Sequence, residues 1–405
     1  MNDCWSSCTI SDLGTVVGGS TPSTKKAENY VNGNIPWITP KDLAGYNHRF
    51  ISRGERNITE TGFKSCSLQM LPKHSVLFTS RAPIGYIAIA ENELCTNQGF
   101  KSIVPNSETD FMFLYYLLKY NKNNIENMGS GTTFKEVSGA TMRNISVLVP
   151  SDKKHQQKIA AVLSALDSKI ELNTKINNNL EQQAQALFKS WFVDFEHCKS
   201  EPFKDSAIGK IPNSYKVYHL KDFVPVITGK KNANVSSDKG EYPFFSCSQT
   251  IAWTNDYSFD GDAILVAGNG DFNVKFYKGK FEAYQRTYVL IPYEPKYTAW
   301  LYYAVKHNLH NITSAARGSV ISFITKGNLE DFAFAAPECL ASASIIETFS
   351  SINNIIDANI RENYNLAAIR DALLPKLMSG EIDVSKVDIS DPSYLDKLLF
   401  SEETE

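Results

Sequence analysis

The sequence predicts an α+β protein: two tandem α+β units separated by two long helices that form an antiparallel coiled coil. Three observations carry this expectation. Part of the chain occurs twice, each copy runs into a long uninterrupted helical pattern, and the apolar runs within each copy are short and β-rich. Sliding residue 75 onto residue 262 gives a register of +187 that holds without a gap to residue 150 on 337. LYYLLKYN (114–121) falls on LYYAVKHN (301–308), Gln98 on Gln285, Gly131 on Gly318 and Pro150 on Pro337. Further upstream SDLGTVVGG (11–19) echoes KDFVPVITG (221–229). Such self-similarity marks a duplicated architecture.

Taken in order, residues 1–150 form the first unit, with strand-like runs SVLFTS, YIAIA, FKSIVP and ISVLVP around one helical segment near 110–120. Residues 151–193 form the first long helix. Positions 154–192 contain no Gly or Pro and carry a seven-residue apolar repeat: Ile159, Leu166, Asn173, Leu180 and Leu187 on one seam position, Leu163, Ile170, Asn177, Ala184 and Trp191 on the other. Thirty-nine residues of helix span roughly 58 Å. Residues 194–215, with two prolines and many polar residues, read as a connector. Residues 216–337 repeat the first unit through AILVAG, VKFY, TYVLIP and DFAFAAP. Residues 338–379 repeat the helix, its seam running through Ile345, Phe349, Ile352, Ile356, Asn359, Asn363, Leu366, Arg370, Leu373 and Leu377. Pro375 predicts a kink or an end near Leu374. Antiparallel pairing places Asn173 and Asn177 beside Asn359 and Asn363, where buried amides fix register. Residues 380–405 form an acidic tail.

The net charge of −3 is unevenly distributed. It is +2 over residues 1–150, +1 over 151–200, +1 over 201–340 and −7 over 341–405. The body is therefore weakly basic, which permits nucleic-acid binding without requiring it. No apolar run approaches a membrane span, and the N-terminus lacks the form of a secretory signal. The seven scattered cysteines contain no C-x-x-C pair. They are expected as reduced thiols of a cytoplasmic protein, with no zinc site.

Catalytic motifs are missing. There is no G-x-x-x-x-G-K-[ST] loop, no Asn/Asp-Pro-Pro-Tyr/Phe segment, and no H-E-x-x-H or G-x-S-x-G. The seven histidines show no ligand spacing. What recurs in both copies is loops of glycine, small hydroxyl residues, Lys and Arg, the side chains that hold phosphates and read base edges. In the first unit these loops offer Ser20, Thr21, Lys25, Lys26, Lys41, Arg49, Arg53, Arg81, Thr132 and Lys135. In the second they offer Lys230, Lys231, Asn269, Asn273, Lys275, Arg286, Arg317 and Ser319. Candidate spacer or subunit contacts are Leu166, Ile170, Asn173, Leu180, Leu187, Trp191, Ile356, Asn359, Asn363, Leu366, Leu373 and Leu377.

QALFKSWFVDFE (185–196), RDALLPKLMSGEIDVS (370–385), KKHQQKIAAVLSALDSKIELN (153–173) and the opening Leu13…Gly18-Gly19-Ser20-Thr21-Pro22 with IPWITPKDL (35–43) give the chain a further character. In these segments it resembles the DNA specificity subunits of type I restriction-modification systems, over nearly its whole length. The resemblance implies two target-recognition domains held apart by the helix pair, and a subunit that does no catalysis. It implies double-stranded DNA as a partner, together with two modification (methyltransferase) subunits and ATP-driven restriction subunits. No cofactor is expected on this chain; S-adenosylmethionine, ATP and Mg2+ are expected on the partners. The second unit has Thr228-Gly229-Lys230-Lys231 in place of Gly-Gly-Ser-Thr-Pro, so its half-site is expected to differ from the first. Three other readings stand beside this one. They are a specificity subunit of a fused system, a coiled-coil scaffold with duplicated protein- or glycan-binding domains, and an enzyme with an unrecognised nuclease centre.

Overall fold

The structure is a computed structural model that describes residues 5–81, 83–131, 135–237, 240–314, 323–340, 344–384 and 387–388. The chain forms two compact units, Met1–Leu172 with Glu362–Glu405, and Asn173–Arg361. Each unit therefore contains one globular repeat and opposite halves of the two long helices.

The first unit contains β1 (Trp5–Thr9), β2 (Gly14–Gly18), β3 (Ile35–Ile38), β4 (Phe50–Ile51), β5 (Asn57–Ile58), β6 (Val76–Ser80), β7 (Ile84–Ala90), β8 (Cys95–Thr96), β9 (Lys101–Pro105) and β10 (Ser146–Pro150). They form a five-stranded sheet in the order β2-β9-β6-β7-β4, a three-stranded sheet β5-β3-β8, and the antiparallel pair β1-β10. β6 is buried along its whole length, as its unbroken VLFTS run requires of a central strand. One face of the large sheet packs Val76, Phe78, Ile89 and Ile103 against the domain helix Phe111–Tyr120. That helix is capped by Asp110, whose carboxylate accepts the Phe113 N–H at 2.9 Å, and it buries Phe113 through Leu118. The same core takes in Ile159 and Leu163 from the first long helix and Leu374, Leu377 and Met378 from the second. Truncating any of these leucines to alanine would cost ~2–5 kcal/mol.

The second unit contains β11 (Phe203–Ser206), β12 (Gly209–Pro212), β13 (Tyr215–His219), β14 (Val226–Thr228), β15 (Tyr242–Phe245), β16 (Ala252–Thr254), β17 (Phe259–Ala267), β18 (Val274–Ala283), β19 (Thr287–Leu290) and β20 (Ala333–Pro337). Its main sheet runs β14-β19-β17-β18-β15-β16, and β13 pairs with β20. The expected connector is itself structured, because β11 and β12 close a hairpin over the turn Ala207–Ile208, and the chain re-enters the pair at Gly209, whose φ of 107° favours glycine.

Strand pairing reproduces the duplication. Trp5 faces Pro150 as Tyr215 faces Pro337, and Val16 faces Ile103 as Val226 faces Leu290. β3 runs parallel to β8 through Trp37 and Cys95, as β15 runs parallel to β18 through Phe244 and Glu282. The expected gapless register needs one correction. Val76 pairs with Ile103 whereas Ile264 pairs with Leu290, so β6 matches β17 with an offset one residue larger. The extra residue in the first unit lies on β7, where Phe78 faces Ile87 but Ser80 already faces Ile84. The units also differ beyond this. β18 is continuous where the first unit divides into β7 and β8, and β4 has no counterpart in the second unit.

The long helices run Lys153–Phe192 and Ser344–Met378. Pro375 does not end the second helix, which continues a further turn. Leu374, Leu377 and Met378 are all buried in the first unit's core, and that packing outweighs the missing N–H of proline. Within the first unit Asp167 meets Arg370 and Lys169 meets Glu362, so the helix segments run antiparallel. Within the second unit Asn177 meets Asn359 and Phe188 meets Phe349, again antiparallel. Asn359 donates its amide to Asn177 Oδ1 at 2.7 Å, and Asn177 donates to the Ile356 carbonyl at 3.3 Å. The expected pairing of Asn177 with Asn359 is therefore present. Of the spacer positions, Leu166, Asn173, Leu366 and Leu377 are buried. Ile170, Leu180, Leu187, Trp191, Ile356, Asn359, Asn363 and Leu373 are half-buried. The fully buried apolar stripes are wider than a two-position seam, because each helix end also packs on its unit's own core.

Candidate nucleic-acid interface

Four separate segments meet at one edge of each unit. In the first, the chain leaves β2 at Gly19 and Ser20 and passes against the turn that follows β8, with the Ser20 N–H donating to the Thr96 carbonyl at 3.0 Å. A Cβ on Gly19 would lie 2.1 Å from the Asn97 carbonyl oxygen, so no larger residue fits. In the second unit the Lys230 N–H donates to the Ala283 carbonyl at 3.1 Å, and a Cβ on Gly229 would lie 2.2 Å from the same oxygen. The echo of SDLGTVVGG in KDFVPVITG thus has a steric cause.

The other segments match as closely. Ser80, at the end of β6, donates its N–H to the Gly99 carbonyl and accepts the Val137 N–H. Gly268, just after β17, donates to the Arg286 carbonyl and accepts the Ile324 N–H. The next residues, Arg81 and Asn269, form single antiparallel bridges with Glu136 and Phe323. The turns place Gln98 and Gln285, identical and exposed, at corresponding points. In the first unit Thr21 donates its hydroxyl to Gln98. Lys101 reaches Glu136 at 3.3 Å and Ser80 Oγ at 3.4 Å. In the second unit Lys231 accepts the Gln285 N–H through its carbonyl, and Arg286 is exposed.

The remaining sequence candidates divide between surface and interior. Lys25, Lys26, Lys41, Arg53, Lys135 and Lys230 are exposed. Lys26 lies 3.8 Å from Glu28, and Lys41 lies 2.6 Å from Glu55. Thr132, Arg317 and Ser319 lie outside the described residues. Arg49 is corrected: it does not face solvent. Its side chain is only 8% exposed, and its guanidinium binds both oxygens of Glu171, the Ser168 hydroxyl and the Ser164 carbonyl. Burial opposes its charge, but the Glu171 hydrogen bonds outweigh that and raise its pKa; Glu171 in turn is lowered despite its own burial. Asn273 and Lys275 are corrected too. Asn273 is buried and donates to the Cys247 and Asp271 carbonyls. Lys275 donates to the Ser248 carbonyl at 2.7 Å and to Asn273, with burial lowering its pKa. Both brace a loop from behind.

Arg49 belongs to a polar junction between repeat and helices that sequence reasoning missed. In the first unit the Tyr116 hydroxyl donates to Asp167 at 2.7 Å, and Arg370 binds the other oxygen of Asp167 at 2.6 Å. In the second unit the equivalent Tyr303 donates to Asn353 at 2.9 Å and to Glu181 at 3.2 Å, while Lys306 reaches Glu181 at 2.6 Å. The matching Tyr116 and Tyr303 were the available signal. Also unforeseen were Lys101 and the two edge glutamines, although Gln98 and Gln285 already coincided in the repeat. Among the described residues no group of three His, Cys, Asp or Glu could hold a metal ion, and no helix is long and apolar enough to cross a membrane.

The structure is a duplicated α+β unit on paired helices, and comparison with known proteins identifies the class. Residues 2–182 and 212–365 match the type I restriction modification DNA specificity domain, each match covering one repeat and most or part of its following helix. The chain belongs to this family: it is a specificity subunit of type I restriction-modification systems, a DNA-recognition protein without catalytic function. It is 36% identical to the type I restriction enzyme MjaIX specificity subunit of Methanocaldococcus jannaschii, over 95% of this chain and 94% of that one. It is also 36% identical to the EcoDI specificity subunit of Escherichia coli, there over 44% of this chain and 40% of the relative. The fold matches the crystal structure of a type I restriction-modification S subunit from M. genitalium, with a TM-score of 0.59, 17% identity, and coverage of 93% of this chain and 97% of that one. The scaffold and nuclease readings are not favoured.

Proposed function

We propose that this chain reads a DNA site in two unlike halves, one with each repeat, and that the helix pair sets the interval between them. The observation that supports this most directly is the edge built twice from the same four segments, with different side chains on it. Two copies of one loop edge suit paired half-sites on a duplex. In the first repeat the contacts fall to Ser20, Thr21, Lys25, Lys26, Lys41, Arg53, Arg81, Lys135 and the turn at Gln98. In the second they fall to Lys230, Lys231, Asn269, Arg286 and Gln285. Small hydroxyl residues, lysines and backbone N–H groups hold phosphates, while Arg, Asn and Gln read base edges.

The complex works in the cytoplasm with two modification subunits, which hold S-adenosylmethionine, and with restriction subunits, which hold ATP and Mg2+. Exposed apolar side chains on the helices give these partners something to grip: Leu172, Tyr364 and Ile369 in the first unit, Ile176, Ile355 and Ile360 in the second. Weak basicity of the recognition units agrees with phosphate contacts shared among subunits. The test is methylome sequencing of cells that express the chain with its modification subunit. An interrupted, asymmetric methylated motif is expected. A continuous motif, or methyl transfer by the purified chain alone, would refute the reading.

A further inference from the structure

The two repeats carry side chains of different chemistry at one equivalent place, Arg81 and Asn269. Arg81 follows β6 and Asn269 follows β17, and the residue before each is fixed by the same two backbone hydrogen bonds. Each is then bridged to the loop that closes the edge, at Glu136 and Phe323. The matching pattern means that both side chains leave the backbone from the same point of the same edge, beside Gln98 and Gln285 respectively. Neither is consumed by the fold. The Arg81 side chain is 36% exposed, and its ion-pair partner is Glu136 at 4.0 Å, an acid that Lys101 holds more closely at 3.3 Å. The Asn269 side chain is half-buried and makes no hydrogen bond among the described residues. The contrast with Arg49 is direct, since that guanidinium is bound on every side.

We infer that position 81 and position 269 are the equivalent base-discriminating positions of the two half-sites, with Arg81 reading a guanine and Asn269 an adenine. This rests on the two-half reading proposed above. The guanidinium fork matches O6 and N7 of guanine, and the carboxamide matches N6 and N7 of adenine; each bidentate pair discriminates by roughly tenfold to a hundredfold. Glu136 keeps the Arg81 fork loosely placed until a guanine edge replaces it. The shared Gln98 and Gln285 do not distinguish the halves, whereas Arg81 and Asn269 do.

The experiment uses the full chain with its modification subunit, read by methylome sequencing, for the variants Arg81→Gln, Arg81→Lys and Asn269→Arg. Arg81→Gln is expected to change one guanine of one half-site to adenine or to a mixture, leaving the other half and the interval unchanged. Arg81→Lys is expected to keep the guanine while lowering the methylated fraction severalfold, since lysine presents a point charge in place of a fork. Asn269→Arg is expected to change one adenine in the other half only. An unchanged motif at full methylation in Arg81→Gln and Asn269→Arg would overturn the assignment. So would altered bases in both halves from one substitution. Loss of the assembled complex in both Arg81 variants would make Arg81 a structural residue and overturn it equally. Failure of the wild-type complex to methylate a two-part motif would instead refute the underlying reading.

Discussion

Removing the carboxylate of Glu171 would leave the Arg49 guanidinium buried with one serine hydroxyl and one carbonyl to hold it. Breaking a buried pair from one side is among the most damaging single changes, and Glu171→Ala is expected to destabilise the chain by about 3 kcal/mol at neutral pH. Denaturant unfolding of the full chain measures this directly. The sign of its pH dependence follows from Glu171. Its folded pKa lies below the ordinary carboxylate value, so the stabilisation is complete above that value and is lost as pH falls through the folded one. The gap between wild type and Glu171→Gln should therefore be constant above about pH 5 and close in more acidic solution. A gap that widened on acidification would contradict the pairing. Glycine gives a second test at this scale. In Gly229→Ala the added methyl meets the backbone oxygens of Ala283 and Tyr284 at 2.2 and 2.3 Å, and backbone cannot step aside as a side chain can. The variant is expected to displace the Lys230 and Lys231 segment, lowering the melting temperature and abolishing reading of the second half-site. Normal methylation by Gly229→Ala would show that the edge tolerates the displacement.

At the level of elements, the Asn177–Asn359 hydrogen bond is the clearest case of polarity used for register. Asn177→Leu leaves the half-buried Asn359 amide without its partner and is expected to cost about 1–2 kcal/mol. Asn177→Leu with Asn359→Leu should recover most of that, giving a coupling energy that a double-mutant cycle of thermal unfolding reads out. Additive losses would mean that the amides do not act as a pair. This pairing was legible in the sequence because Asn173 and Asn177 interrupt an otherwise apolar seven-residue repeat in the first helix, and Asn359 and Asn363 stand at the matching place in the second. The duplicated strands were legible for a similar reason: Leu114, Tyr115 and Tyr116 return at Leu301, Tyr302 and Tyr303. The fate of Arg49 was not, because its partner Glu171 lies 122 residues away and β4, which follows Arg49, has no counterpart in the second repeat. Lys275 and Asn273 misled for another reason. Lys275 lies in the VKFY run already expected as strand and Asn273 just before it, and composition did not reveal that both side chains fold inward onto the 247–248 carbonyls.

For the whole molecule, the separation of reading from spacing makes the sharpest demand. Exchanging residues 1–150 for the corresponding unit of a relative should change one half of the methylated motif and leave the other half and the interval intact. The chimaera must keep Tyr116, which holds Asp167 on the first helix, and Arg49 as the partner of Glu171. Lengthening the helices should do the opposite. Asn177 lies opposite Ile356 and Asn359, while Tyr303 bridges Glu181 and Asn353, so Leu180 is level with the stretch between Asn353 and Ile356. Four residues inserted after Leu180 alone would push Phe188 out of register with Phe349 and destroy the second unit's core. Four residues inserted after Leu180 together with four after Asn354 keep both sides of the break in register. The exposed bond from Arg361 to the Lys278 carbonyl is lost, a minor effect at a solvated site. The added rise is about 6 Å, which corresponds to an interval longer by one or two base pairs. Methylome sequencing is expected to return both half-sites unchanged around a longer gap. Altered bases in either half, or an unchanged gap with full methylation, would show that the helices do not act as the ruler.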